Sequence, residues 1–434
     1  MLDILARWNR WGTATLEGGF TREITQQLPA FLDSPEALVF IGPRRAGKTT
    51  VLFQIMDMLE KNGIDPKAML HLNLEEPALT NQLNIELLED IYHTFRTEIF
   101  PEGKAYIFLD EIQNVPQWER WVRVRNETEN IKIFITGSSS KLLSRELGTL
   151  LTGRHISFKV LPLSFKEYLY FKSLPLPANQ IDLMTPPAVI QQALQDYLKW
   201  GGFPEVALAT NDLRKELLLK QYFDDVLFKD VALRHRIRDT VTLRNLAVHL
   251  LTHTGNLISF QRIAKIFGVS LDLAKAYCLY LQEAFLIELV PFFSRKAAER
   301  NRNPQKIHAL DLGLRQVLSL ATSADSGHIS ETAVYQHIAR QAQDGVFYWK
   351  QQHEIDLLIR HGNTVKALIQ ICHANLKQNT LPDREMAALK EASQHFIHAK
   401  KTLILSAPAT PASFKKTDKD TALVPLWRFL LSTY

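Results

Sequence analysis

Cysteine is almost missing from this chain, with only Cys278 and Cys372 among 434 residues. The two lie far apart and form no CxxC pair, so a disulfide framework is excluded and a reducing compartment is the natural setting. No uncharged apolar run approaches the length needed to cross a bilayer, so the sequence gives no expectation of membrane insertion. A secretory leader lacks its core as well: in MLDILARWNRWGT, Asp3 and Arg7 stand where such a leader needs unbroken apolar residues. The expectation is a cytoplasmic protein with no membrane partner. Charge of one sign is also in short supply. A net charge of +5, with a pI near 9.0, permits a nucleic-acid partner but does not establish one.

What is present is apolar material in ordered patterns. With 46% hydrophobic residues over 434 positions, the chain is globular and long enough for two or three domains. After the apolar run ALVF comes IGPRRAGKTTV, in which Gly42 to Thr49 fits the Walker A pattern G-x-x-x-x-G-K-[ST]. Gly42 and Gly47 let the backbone turn where a Cβ would clash. The intervening Pro43, Arg44, Arg45 and Ala46 then converge with the helix start on phosphate oxygens. Lys48 is expected to reach the β- and γ-phosphates of ATP, and Thr49, followed by Thr50, to offer its hydroxyl to Mg²⁺.

Such a site needs a second apolar strand ending in acid, and AYIFLDEIQNV at 105–115 supplies it. Asp110 is expected to hold the Mg²⁺ water shell and Glu111 to align the attacking water. AMLHLNLEE at 68–76 and IKIFITGSSS at 131–140 read as further parallel strands covered by helices on both faces. Ser138 sits where it could sense the γ-phosphate from beside Glu111, or simply cap a turn. Arg154 could serve as an arginine finger on a neighbouring subunit of a homo-oligomer, or be a surface cation before a strand.

Beyond residue 160, PLPANQIDLMTPPA at 175–188 reads as a loop at a domain joint. Residues 213–236 have the spacing of a solvated amphipathic helix. In 258–290, Ser259 and Ser270 stand at helix N-caps with Gly268 at the turn between them, the layout of a helix-turn-helix followed by a strand. The second helix offers Asp272, Lys275 and Gln282, few groups for DNA. The following stretch is more basic, and Arg295, Lys296, Arg300, Arg302 and Lys306 form a candidate wing that holds a nucleic-acid backbone without reading sequence. The alternative is a solvated charged loop.

Taken together, GPRRAGKT, FLDEIQNVPQWE, TGSSS with GR following, PLSFKEYL and YLKWGGFPEV resemble the prokaryotic AAA+-superfamily ATPases that carry a C-terminal domain of unknown function. The resemblance implies an α/β fold: a P-loop NTPase core at 1–175, a helical and winged-helix region at 190–315, and an α/β module at 331–434 similar to PD-(D/E)xK nucleases. An active nuclease of that type needs one acid on a first strand and Glu-x-Lys on the next. Asp356 fits the first, but Gln370-Ile371-Cys372 stands in place of the second. Gln370 lacks the anionic charge for Mg²⁺ and Cys372 supplies no cation. Glu354 and His373 are weak substitutes, so a fold without the cut is expected. The functional expectation is a Mg²⁺-dependent ATPase coupling nucleotide state to a partner, most readily DNA. The rival is an ATP-gated signalling or docking switch with protein partners.

Overall fold

The computed structural model describes residues 2–13, 17–79, 82–138, 153–177, 188–319, 326–341, 345–372, 383–406 and 420–432. The chain divides into two compact units, Met1–Leu161 and Pro162–Tyr434. Most of the joint segment at 175–188, and His373, fall outside the described residues.

The first unit is built on five strands: β1 (Ala37–Ile41), β2 (Met69–Asn73), β3 (Ala105–Asp110), β4 (Ile131–Gly137) and β5 (His155–Lys159). They pair in the order β2-β3-β4-β1-β5, all parallel. β1 and β3 are buried at every position, the burial that continuous rather than alternating apolar runs demand. Helices flank the sheet. After α1 (Leu2–Ala6) come α2 (Lys48–Lys61), α3 (Ile85–Glu98) and α4 (Trp118–Thr128). Asn84 caps α3 by accepting from the Leu87 N–H at 2.8 Å. One core joins Val51, Leu52 and Ile55 of α2 to Phe40, Phe108 and Phe134 of the sheet. The rings of Phe108 and Phe134 stack at 4.6 Å.

β2 is an edge strand, and a bare edge exposes unpaired backbone groups. The N-terminal segment covers it. Buried Asn9 accepts from the His71 N–H at 2.6 Å and donates to the His71 carbonyl at 2.9 Å, pairing as a strand residue would. Trp11 donates its indole N–H to the Met69 carbonyl at 3.0 Å.

In the second unit, α5 (Phe165–Phe171) opens with a capping box between Ser164 and Glu167. It is followed by α6 (Ala188–Trp200), α7 (Pro204–Leu208) and α8 (Asp212–Asp225). The helical pattern expected at 213–236 does not run through as one α-helix: Val226–Leu233 is π-helical. α9 (Thr240–Thr252) leads to a three-stranded antiparallel sheet, β6-β8-β7, from β6 (Leu257–Ile258), β7 (Ile287–Val290) and β8 (Gln305–Ala309). Between β6 and β7 lie α10 (Phe260–Phe267) and α11 (Leu271–Glu283), capped by Ser259 and Ser270. Gly268, at φ +64°, makes the left-handed turn between them. The segment joining β7 to β8, the candidate wing, contains α12 (Ala297–Arg302) and is therefore not a simple hairpin.

After α13 (Leu312–Leu318) and α14 (Ser326–Gln341), a mixed sheet forms in the order β13-β12-β11-β10-β9. Its strands are β9 (Val346–Lys350), β10 (Glu354–His361), β11 (Thr364–Cys372), β12 (Lys400–Leu405) and β13 (Thr421–Pro425). β9, β10 and β11 are antiparallel neighbours, while β11, β12 and β13 run parallel. α15 (Asp383–His395) and α16 (Leu426–Leu431) complete the chain. Alternation sorts the strand residues between two cores, with Leu357, Ile369 and Ile371 in one and Leu358, Leu368 and Cys372 in the other.

Asn9→Ala leaves the backbone N–H and C=O of His71 unpaired on a buried edge. Urea unfolding should show the first unit destabilised by about 2 kcal/mol, with no change in the transition of the second.

Candidate nucleotide site

Parallel strands all end on one side, so whatever follows β1, β3 and β4 gathers at one edge of the sheet. β1 runs straight into Gly42, where an added Cβ would lie 1.9 Å from the Val160 carbonyl oxygen. No side chain fits there. The loop then uses left-handed backbone at Arg45 (φ +66°) and Gly47 (φ +94°) before α2 begins at Lys48. This leaves the first N–H groups of a fourteen-residue helix facing the loop, an arrangement suited to anionic oxygens.

Lys48 is buried, with Nζ 3.2 Å from the Pro43 carbonyl and 3.0 Å from Glu111 Oε1. Thr49 donates to Asp110 Oδ2 at 2.7 Å. Thr136, on β4, donates to the other Asp110 oxygen and accepts from the Glu111 N–H at 2.9 Å. Gln113 donates to Glu111 Oε2 at 2.5 Å and to Ser138 Oγ at 3.3 Å. Glu111 itself has φ +57°, uncommon for a residue with a Cβ. Lys48, Thr49, Asp110, Glu111 and Ser138, which arise from three separate segments of sequence, meet at this edge.

The two adjacent carboxylates differ in their electrostatics. Burial, and then the neighbouring Glu111 charge, push Asp110 up to about 6 despite its threonine partners. Burial also acts against ionised Glu111, but the Lys48 ammonium and the Gln113 hydrogen bond outweigh it and hold the group below its ordinary range. Glu111 is thus the more acidic of the pair. His71 Nε2 stands 4.0 Å from Asp110 Oδ2, and burial lowers that ring to about 4, so it is neutral.

Four residues of this edge are not evident from the motif. Arg22, buried, donates to the carbonyls of Ala46 and Leu161, each at 2.7 Å, and so ties the loop to the end of β5. Glu75 pairs with Arg44 at 2.5 Å. Thr136 and Gln113 orient the acids. Thr136, two positions before Ser138, and Gln113, two after Glu111, could be suspected from sequence, but no local pattern marks Arg22. Arg154 lies elsewhere. It precedes β5 at the opposite end of the sheet, its carbonyl accepts from Ala37 at the start of β1, and its guanidinium pairs with Glu127 at 2.9 Å. It does not reach the Gly42–Thr50 loop of its own chain. Lys306, grouped by sequence with the wing cations, is also placed differently: it is buried and ion-paired, so it offers nothing to an external phosphate.

The sequence profile described as an AAA domain matches residues 34–169, and a domain of unknown function, DUF8612, matches 191–325. The uncharacterized protein MJ1544 of Methanocaldococcus jannaschii is 33% identical over 363 residues, covering 82% of this chain and 78% of that protein. The chain belongs to its family. An uncharacterized protein of Haemophilus influenzae is 29% identical over 349 residues, covering 78% and 83% respectively. Among solved structures, the Thermotoga maritima RuvB Holliday junction branch migration motor aligns at 16% identity and a TM-score of 0.32, over 62% of this chain and 89% of that one. This family member is an AAA-type P-loop protein, and the donor set at its sheet edge fits a nucleotide with its metal. Lys48 and the α2 N-terminus offer the kind of charge and dipole that binds phosphate, and Thr49 and Asp110 carry oxygen donors of the kind a hard dication prefers.

The raised Asp110 has a stability consequence. A carboxyl whose folded pKa lies above its unfolded value adds stability that is full below about 3.8 and lost as pH rises through about 6. Asp110→Asn should therefore stabilise the nucleotide-free protein at pH 8, by at most about 3 kcal/mol, and change it little at pH 4. A substitution that raises the melting temperature only at the higher pH is the expected result of paired thermal scans.

Proposed function

We propose that this protein is a Mg²⁺-dependent ATPase whose nucleotide state is coupled to a nucleic-acid partner held by the second unit. The observation that carries the ATPase reading is the Lys48–Glu111 pair beside Thr49–Asp110. Lys48 Nζ is positioned to exchange Glu111 for a phosphate oxygen, which leaves Glu111 Oε1 able to accept from a water while Gln113 keeps the other oxygen fixed. Mg²⁺, when bound through Thr49 and Asp110, supplies charge neutralisation at the phosphates. Ser138 and Gln113 complete the wall beside that water. Positioning and electrostatics are enough, because phosphoryl transfer asks little covalent help of the protein.

The partner reading rests on the second unit. The order α9, β6, α10, α11, β7 and β8, with α12 inserted between the last two strands, supports a winged-helix reading, with α11 second of the helix pair. A groove of about 570 Å³ runs between these elements, and Lys275 of α11 and Arg302 of α12 line it together with Gln261, Asn301, Asn303 and Gln305. Two cations with four amides suit a phosphodiester backbone better than base edges. Arg295, Lys296 and Arg302 are exposed and Arg300 half-buried beside them. A second reading, ATP-gated docking of a protein, is favoured by the apolar side chains that the two helices expose: Ile266 at 49%, Leu273 at 38% and Leu279 at 51%.

Lys48→Ala is expected to lose ATP binding, whereas Glu111→Gln should retain binding and lose about 100-fold or more in turnover. Equilibrium binding of labelled ATP alongside steady-state hydrolysis checks both, and undiminished turnover in Glu111→Gln would remove that residue from the mechanism.

Changing Arg295, Lys296, Arg300 and Arg302 to alanine together should weaken DNA binding across sequences. The slope of log K against log salt should fall by nearly one unit for each phosphate that is no longer neutralised. Binding that is unaltered in the folded quadruple variant would favour the protein-docking reading.

A further inference from the structure

The second unit holds a buried charge cluster that the ATPase does not use. Lys306 reaches it from β8, with Nζ 2.7 Å from Glu331 Oε1 of α14 and 2.8 Å from Glu354 Oε1 and 3.4 Å from Asp356 Oδ1, both of β10. Its side chain is 1% exposed. Gln370 of β11 accepts from the Asp356 N–H at 3.2 Å, and Asp356 Oδ2 accepts from the Ile371 N–H at 2.9 Å. By sequence, Asp356 has only weak helpers in Glu354 and His373. The fold supplies three carboxylates, because α14 brings Glu331 to the start of β10 from a segment no strand motif marks.

A second group points the same way. His308, two residues along β8 from Lys306, is fully buried. Its Nδ1 lies 3.0 Å from Thr332 Oγ1, and its Nε2 has no hydrogen-bond partner and stands 3.8 Å from Glu331 Oε1. Burial lowers this ring to about 3, so it presents a neutral nitrogen. Three carboxylates surround Lys306 Nζ, and the unpartnered imidazole lies beside one of them; these are the donor types a hard or borderline dication prefers. The distances to Nζ are those of an ammonium hydrogen-bonded to oxygen, well beyond the 2.0–2.2 Å of metal–oxygen bonds. Among the described residues no group of three or more His, Cys, Asp or Glu has the geometry to hold a metal ion.

We propose that Lys306 is a built-in cation occupying a carboxylate cage that would otherwise take a divalent metal such as Mg²⁺ or Mn²⁺. One ammonium, tethered to β8, supplies a fixed single positive charge where a free dication would supply two, and Asp356, raised by burial and the Glu331 charge to about 7, carries part of the imbalance as a proton. The lysine cannot release a hydroxide nucleophile, and a dication cannot enter beside it without placing like charges a few ångströms apart. The cage is closed to metal by the chain's own side chain, in addition to lacking the second-strand Glu-x-Lys. Its remaining role is to tie β8 to α14 and β10. This inference does not depend on the nucleotide or DNA readings.

The test uses the full chain without nucleotide, titrated with Mn²⁺ and followed by EPR and thermal unfolding. Wild-type protein should show no Mn²⁺ site that Asp356→Asn removes. Lys306→Ala and Lys306→Met, the second keeping an apolar stem, should both melt at lower temperature. Added Mn²⁺ should recover much of the loss and bind at one more ion per chain than in a Lys306→Ala/Asp356→Asn double variant, which controls for binding at the nucleotide site. Variants that fold only when millimolar Mn²⁺ is present during refolding also support the cage. A wild-type site lost in Asp356→Asn would overturn the proposal. So would a folded lysine variant with no more Mn²⁺ than the double variant, or variants that stay unfolded even with the metal.

Discussion

Asp110 is the side chain on which the nucleotide edge depends. It is a carboxylate in an almost dry interior, and its two oxygens are taken by hydroxyls from Thr49 on the first turn of α2 and Thr136 on β4. Thr136 in turn receives the backbone N–H of Glu111. A single acid thus links the loop helix, the acidic strand and the strand between them. The cost appears as a raised pKa. A buried charge held by two neutral donors is poorly compensated, which is the condition of a group waiting for a cation.

The second unit meets the same problem with the opposite outcome. There the buried acids come with their own cation, and Lys306, overcoming the effect of burial, holds Glu331 well below its usual range. Both clusters sit where separate elements converge, and both pair lysine with carboxylate. They differ in what remains unsatisfied. At the nucleotide edge Lys48 is shared between a carbonyl and one carboxylate, so it has capacity for a phosphate. At the other cluster three carboxylates enclose the ammonium.

Much of the first unit was legible because its chemistry is local in sequence. A glycine turn after an apolar strand, a lysine and threonine at a helix start, and two acids at a strand end are each defined by neighbours within ten residues. The caps at Ser259 and Ser270 and the turn at Gly268 were legible for the same reason. Arg22 was not. It acts on Ala46 and Leu161, 24 and 139 residues away, and its type alone reads as a surface cation. Asn9 posing as a strand residue for His71 is hidden in the same way, since 62 residues separate the two.

The sequence by itself determined much of the local backbone: the strands that end in the nucleotide motifs, the caps at Ser259 and Ser270, and which loop can approach phosphate, because those choices rest on side-chain period, on glycine and on hydrogen bonds to near neighbours. Only the tertiary structure decided which charges share a space. Lys306 stands in a run of five cations yet turns inward as part of β8 while Arg295 and Lys296 stay exposed. Arg154 follows a glycine close to the nucleotide motifs yet precedes its strand at the far end of the sheet. Burial and Coulomb energy are set by distances of a few ångströms between residues far apart in the chain, and linear order carries no record of them.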